Sequence, residues 1–123
     1  MADANAVVRR YVEIWNQPDG ALRAKAAAEL LTEDCRFVDP IADVAGPDGL
    51  AAVIGGVHQQ FPGHRIQPLG DVDTHHDVLR FSWELVPDGG GESVVIGTDV
   101  LSLTADGLVG TISGFFDKVP AAA

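Results

Sequence analysis

The chain predicts an α+β layer fold, in which three N-terminal helices cover one face of a cone-shaped, curved antiparallel sheet and enclose a pocket. Three observations predict it. Apolar residues recur at helical spacing from the start of the chain to Phe61. From His64 onward the pattern changes to alternation with a period of two. Pro87–Gly91 and Ala105–Gly107 then cut this half into strands joined by short turns, the mark of a meander.

Residues 3–16 form the first helix, with Val7, Val8, Tyr11, Val12 and Trp15 on its inner stripe. The run Asn16-Gln17-Pro18-Asp19-Gly20 breaks it. Ala21 to Leu31 is a second helix on Ala/Leu/Lys/Glu propensity. Cys35 to Asp39 is a short strand stopped by Pro40. Pro47-Asp48-Gly49 opens a third helix, with Leu50, Val53, Ile54, Val57, His58 and Phe61 on one face. Gly55 and Gly56 inside it each cost roughly 1 kcal/mol relative to alanine, which predicts close packing there. After Pro62-Gly63 come a weakly patterned strand over 64–72 and a strong one over 77–86. In the latter Leu79, Phe81, Trp83 and Leu85 oppose Arg80, Ser82 and Glu84. Ser93–Leu103 and Leu108–Phe116 complete the meander.

Length and composition set the outer limits. A chain of 123 residues, 46% hydrophobic and 21% charged, is one domain over 1–123 with a sizeable core. Eighteen acids against eight bases give a net charge of −10, which argues against nucleic acid and anionic membrane as partners. Cys35 is the single cysteine, so no intrachain disulfide forms. The opening Met-Ala-Asp-Ala-Asn-Ala lacks the basic and apolar segments of a secretion signal, and no apolar run is long enough to span a bilayer. The expectation is a cytoplasmic protein, and the Ala- and Gly-rich, Lys-poor composition suggests a bacterial source.

Two carboxylates interrupt apolar faces. Asp99 shares a strand face with Val95, Gly97, Leu101 and Leu103, and Asp39 shares one with Cys35 and Phe37. A carboxylate in such a place is held protonated, hydrogen-bonded, or exposed at a cleft. With Tyr11 on the inner stripe of the first helix, the set suggests a site that moves a proton and holds an oxyanion. Each residue also has a structural reading. Asp99 is then an acid bonded to a backbone amide or to the Trp15 indole, Asp39 satisfies the turn after its strand, and Tyr11 is a core aromatic. His58 reads first as a half-buried packing residue. His75-His76-Asp77 reads as a solvated turn, because adjacent strand residues point to opposite faces. Cys35 reads as a small buried hydrophobe, and Gly89-Gly90-Gly91 as a loop without the helix and lysine of a phosphate cradle.

The order of elements, with Val8-Arg9-Arg10-Tyr11-Val12, Phe37-Val38-Asp39-Pro40, Gly97-Thr98-Asp99-Val100-Leu101 and Asp106-Gly107, resembles the nuclear transport factor 2-like superfamily over about residues 6–118. The likeness is greatest to its SnoaL-like and ketosteroid-isomerase-like members. The resemblance implies that Asp39 is a general base taking a proton from carbon beside a carbonyl. It implies that Tyr11 donates to the enolate oxygen and that Asp99 is a protonated acid giving a second hydrogen bond. Phe116 matches an aromatic of the pocket. The resemblance also implies a homodimer through the outer sheet face, which carries Arg80 and Glu84. Two departures stand out. Tyr11 is the only tyrosine, so no supporting phenol network exists, and the arginine–aspartate pair of limonene-epoxide-hydrolase-like relatives is missing.

The expected function is therefore a cofactor-free, metal-free isomerase- or cyclase-like enzyme acting on a small apolar carbonyl compound. Its catalytic residues are Asp39, Tyr11 and Asp99. Its substrate-binding residues are Trp15, Ile54, His58, Phe81, Trp83, Leu101 and Phe116, with Leu79 as a further wall. Two alternatives stay open: a non-catalytic hydrophobic ligand-binding protein, and a hydrolase or dehydratase with Asp99 or His58 as base.

Overall fold

The computed structural model describes residues 3–120; Met1, Ala2 and residues 121–123 of the expected domain lie outside the described residues. Three helices, α1 (Ala4–Asn16), α2 (Gly20–Leu30) and α3 (Gly46–Gln60), are combined with six strands. The strands are β1 (Leu31–Asp39), β2 (Ala42–Ala45), β3 (His64–His75), β4 (Val78–Pro87), β5 (Val95–Leu103) and β6 (Val109–Lys118). Capping explains two of the helix starts. The Asp3 carboxylate accepts from Asn5 N–H, and Asp19 accepts from Ala21 and Leu22 N–H. On α1 the buried face is Val7, Val8, Tyr11, Val12 and Ile14, so the inner stripe falls where the spacing predicts, with Trp15 at its half-buried end.

The strands form one open sheet in the order β2-β1-β6-β5-β4-β3. The meander β3 to β6 is antiparallel throughout, whereas β1 runs parallel to β6, so the sheet is mixed rather than purely antiparallel. The departure has a simple cause. β1 reaches the sheet before α3, and on the side away from its sequence neighbour β2 it lies beside the last strand. β2, only four residues long and starting two positions after Pro40, pairs with the end of β1 as an edge hairpin and is absent from the sequence expectation because it is so short. Register shifts between Leu69 and Asp73 of β3, and beside Gly97 of β5, mark the irregularities where the sheet curves.

The helices cover the concave face, and Leu30, Leu50, Ile54, Leu79, Leu101 and Ile112 fill the space between them and the sheet. The expected close packing at the α3 glycines holds at Gly55 only. A Cβ there would meet the Arg23 guanidinium at 3.4 Å, while Gly56 faces open space. No helix among the described residues is long and apolar enough to cross a membrane.

Candidate functional site

Ladder register builds the site. Phe81, Asp99 and Gly114 stand opposite one another across β4, β5 and β6, and Trp83, Gly97 and Phe116 form the neighbouring row on the same face. Each row has a glycine where a side chain would fill the space. A Cβ on Gly114 would lie 2.9 Å from Asp99 Oδ1 and 3.2 Å from Asp39 Cβ. The two aspartates thus approach each other over a glycine, Asp39 from the end of β1. A Cβ on Gly97 would lie 2.7 Å from Trp83 Cε2 and 2.6 Å from the Phe115 carbonyl. Without one, the Trp83 indole lies across the strand and reaches the carboxylate two residues further along.

Asp99 is 5% exposed, and both of its oxygens are taken. Tyr11 Oη donates to Oδ2 at 2.8 Å, and Trp83 Nε1 donates to Oδ1 at 3.0 Å. Burial pushes its carboxyl up to about 6, against the two donors, which favour the charged form; the nearby Asp39 charge raises it further. Burial, and then the Asp99 charge, push the Tyr11 phenol well above its usual value. The Trp15 N–H works the other way on that phenol but makes no hydrogen bond of good geometry and is buried without an acceptor. Asp39 is half-buried. Its Oδ1 accepts from Ile41 N–H at 2.9 Å and Ala42 N–H at 2.8 Å, and Oδ2 has no partner among the described residues. Burial raises its carboxyl and the two amides oppose the rise.

These groups open onto one cavity of about 210 Å³. Of the residues expected at the site, Tyr11, Trp15, Asp39, Phe81, Trp83, Asp99 and Phe116 line it. Leu79, Ile54 and Leu101 do not. They are sealed in the core, because the helices close directly onto that end of the sheet. His58 lies outside the cavity too, in a small side recess. Arg23 Nη2 approaches its Nδ1 at 3.1 Å, and a guanidinium can only donate, so Nδ1 accepts and Nε2 carries the hydrogen. Nε2 then donates to the Trp15 carbonyl at 2.6 Å. Both ring nitrogens are spent on holding the α1–α2 turn, which removes His58 as a base. Arg23 itself is buried and donates to the Gln17 and Pro18 carbonyls.

Sequence reasoning pairs the wrong indole with Asp99. Trp83 donates, not Trp15, and the signal was Gly97, the one residue opposite Trp83 small enough to let the ring lie flat. Gly114 and Arg23 were missed outright; the first shows itself only through strand register, the second only through tertiary packing. Cys35 is buried and its thiol is pushed up to about 11, chiefly by burial and then by the Asp34 charge, as suits an inert packing residue. Among the described residues no group of three or more His, Cys, Asp or Glu side chains is placed to hold a metal ion.

The SnoaL-like domain family matches residues 8–110 of the chain. Among solved structures, a protein described as a candidate isomerase of the SnoaL-like family from Agrobacterium tumefaciens is similar at 35% identity and a TM-score of 0.86. The match covers 92% of this chain and 96% of that one. A candidate SnoaL-like polyketide cyclase from Jannaschia sp. shares the fold at 21% identity and a TM-score of 0.67, covering 90% and 85%. A nuclear transport factor 2-like protein from Exiguobacterium does so at 18% identity and a TM-score of 0.70, covering 92% and 99%. No curated protein matches the chain by sequence.

Proposed function

The chain belongs to the SnoaL-like domain family, and from that premise we propose that it is a proton-transfer enzyme acting on carbon beside a carbonyl, through an enolate. The observation that carries the reading is the set formed by Asp39, Tyr11 and Asp99 around one apolar cavity, with Asp39 and Asp99 separated by little more than Gly114.

The division of labour follows from which atoms are free. Asp39 has one oxygen tied to two amides and the other unpartnered, so Oδ2 is the base that takes the carbon-bound proton. The amides fix the carboxylate's orientation and help keep it charged, while its raised affinity for protons makes it a stronger base. The electron pair left on carbon moves to the carbonyl oxygen, which needs a donor already in place. Tyr11 is that donor. Its hydrogen points to Asp99 while Asp99 is ionised. When Asp99 carries a proton, the acid donates to the Tyr11 oxygen and the phenolic hydrogen is free for the substrate. Asp99 therefore acts through Tyr11, not by touching the enolate itself as the family resemblance alone implies. Trp83 holds the other carboxylate oxygen throughout. Return of the proton from Asp39 to a different carbon completes an isomerisation with no net change in protons.

The test is conversion of cyclohex-3-enone to its conjugated isomer, followed by ultraviolet absorbance. Asp39→Asn should lower kcat by at least about 100-fold, the ordinary worth of a positioned base. Equal rates for Asp39→Asn and wild type would remove Asp39 as base and with it this assignment.

A further inference from the structure

We propose that the cavity takes an uncharged, single-ring carbonyl compound of about eight non-hydrogen atoms, and rejects both steroid-sized and anionic molecules. Placing the carbonyl oxygen at Tyr11 rests on the enolate reading; the limits on size and charge do not.

Size comes first. An apolar cavity of about 150 Å³ holds benzene. By the same measure the 210 Å³ here holds a six-membered ring with one or two substituents. The walls have little room to give. Phe37, Phe81, Leu85 and Val95 are buried on paired strands, and Ile54 and Leu101 are fully buried in the core behind. Widening such a wall means moving strands or leaving good rotamers. Among the described lining residues the exposed ones mark the mouth: Ile41 and Val119, 67% and 55% exposed, with Gln60 and Pro120. A steroid with its reacting ring at Tyr11 leaves most of its skeleton outside.

Charge comes second. The ionisable side chains lining the cavity are Asp39, Asp99 and Tyr11, with no lysine, arginine or histidine among them. Arg23, a buried cation, is not among the lining residues, and its Nε and Nη2 are engaged with Gln17, Pro18 and His58. An entering carboxylate or phosphate would lose its water beside two acids and find no counter-charge. A neutral carbonyl loses little and gains the Tyr11 hydrogen. The net charge of −10 on the whole chain adds repulsion at long range.

The experiment is a binding titration of the wild-type protein read from its two indole N–H signals, Trp15 and Trp83, both of which border the cavity. Three probes are compared: cyclohex-2-enone, a steroid with the same enone in its first ring, and cyclohex-1-ene-1-carboxylate. Cyclohex-2-enone should bind at least tenfold more tightly than either of the others. A steroid or carboxylate that moves both signals with equal or higher affinity overturns the proposal, as does failure of cyclohex-2-enone to bind at millimolar concentration. Selective binding of cyclohex-2-enone without turnover of cyclohex-3-enone supports the size and charge limits while removing the isomerase reading. Turnover of a steroid by Asp39, with tight steroid binding, does the reverse.

Discussion

At the scale of single residues, Asp99 is a carboxylate whose proton is worth stability. Its folded value of about 6 stands above the 3.8 of an ordinary aspartate. Because the value is raised, the native state holds a proton that the unfolded chain releases earlier. The stabilising contribution is full below 3.8 and is lost as pH rises through about 6. Across that window the loss amounts to about 3 kcal/mol. Asp99→Asn imitates the protonated acid: its oxygen still accepts from Trp83, and its amide nitrogen donates to Tyr11. The variant should therefore match wild type near about pH 4 and gain on it by about 3 kcal/mol near pH 7. Chemical denaturation of both proteins across that range checks the claim, and parallel stability curves would contradict it. Tyr11, Asp39 and Asp99 were legible in the sequence for the reason that makes them costly: each places a polar group on an apolar face. Trp83 was not, because an inward tryptophan reads as wall, and its N–H finds Asp99 only once strand pairing is known.

At the scale of elements, pairing of β4 with β5 is what aims the site. Trp83 faces Gly97, and the ring occupies the volume a side chain would need. Gly97→Ala forces a choice between moving the indole and moving the Phe115 carbonyl, which belongs to the β5–β6 ladder. The flexible partner yields, so the indole leaves Asp99 at an overpacking cost of about 1–3 kcal/mol. Losing that donor raises the Asp99 carboxyl further, since Trp83 is the strongest influence favouring its charged form. Denaturation should show the loss of stability, and the Trp83 N–H signal should lose its hydrogen-bonded shift. An unmoved signal would mean that the strand, not the ring, gives way. The helices and the meander were readable because period and turn chemistry are local properties. The parallel partnership of β1 with β6, the short β2, and the meeting of Asp39 with Asp99 over Gly114 were not readable, because each depends on which strands become neighbours.

At the scale of the whole molecule, charge is the unbalanced quantity. Eighteen acids face eight bases. The ion pairs Arg36–Asp43, Arg80–Asp73 and Lys118–Glu92 involve exposed side chains, so each contributes little. The remaining acids repel one another in the folded state more than in the expanded chain. Raising sodium chloride from about 10 mM to about 150 mM shortens the screening length from about 30 Å to about 8 Å. The repulsion then falls faster than the weak pairs are lost. Thermal unfolding should shift upward by about 4 °C, equivalent to about 1 kcal/mol for a chain of this size. A downward shift would show that attraction between opposite charges dominates the surface instead. The same series separates two kinds of ligand. Binding of a neutral ring should be flat across it, because no charge is moved. Any residual binding of an anion should strengthen with salt, because the field it must cross is being screened.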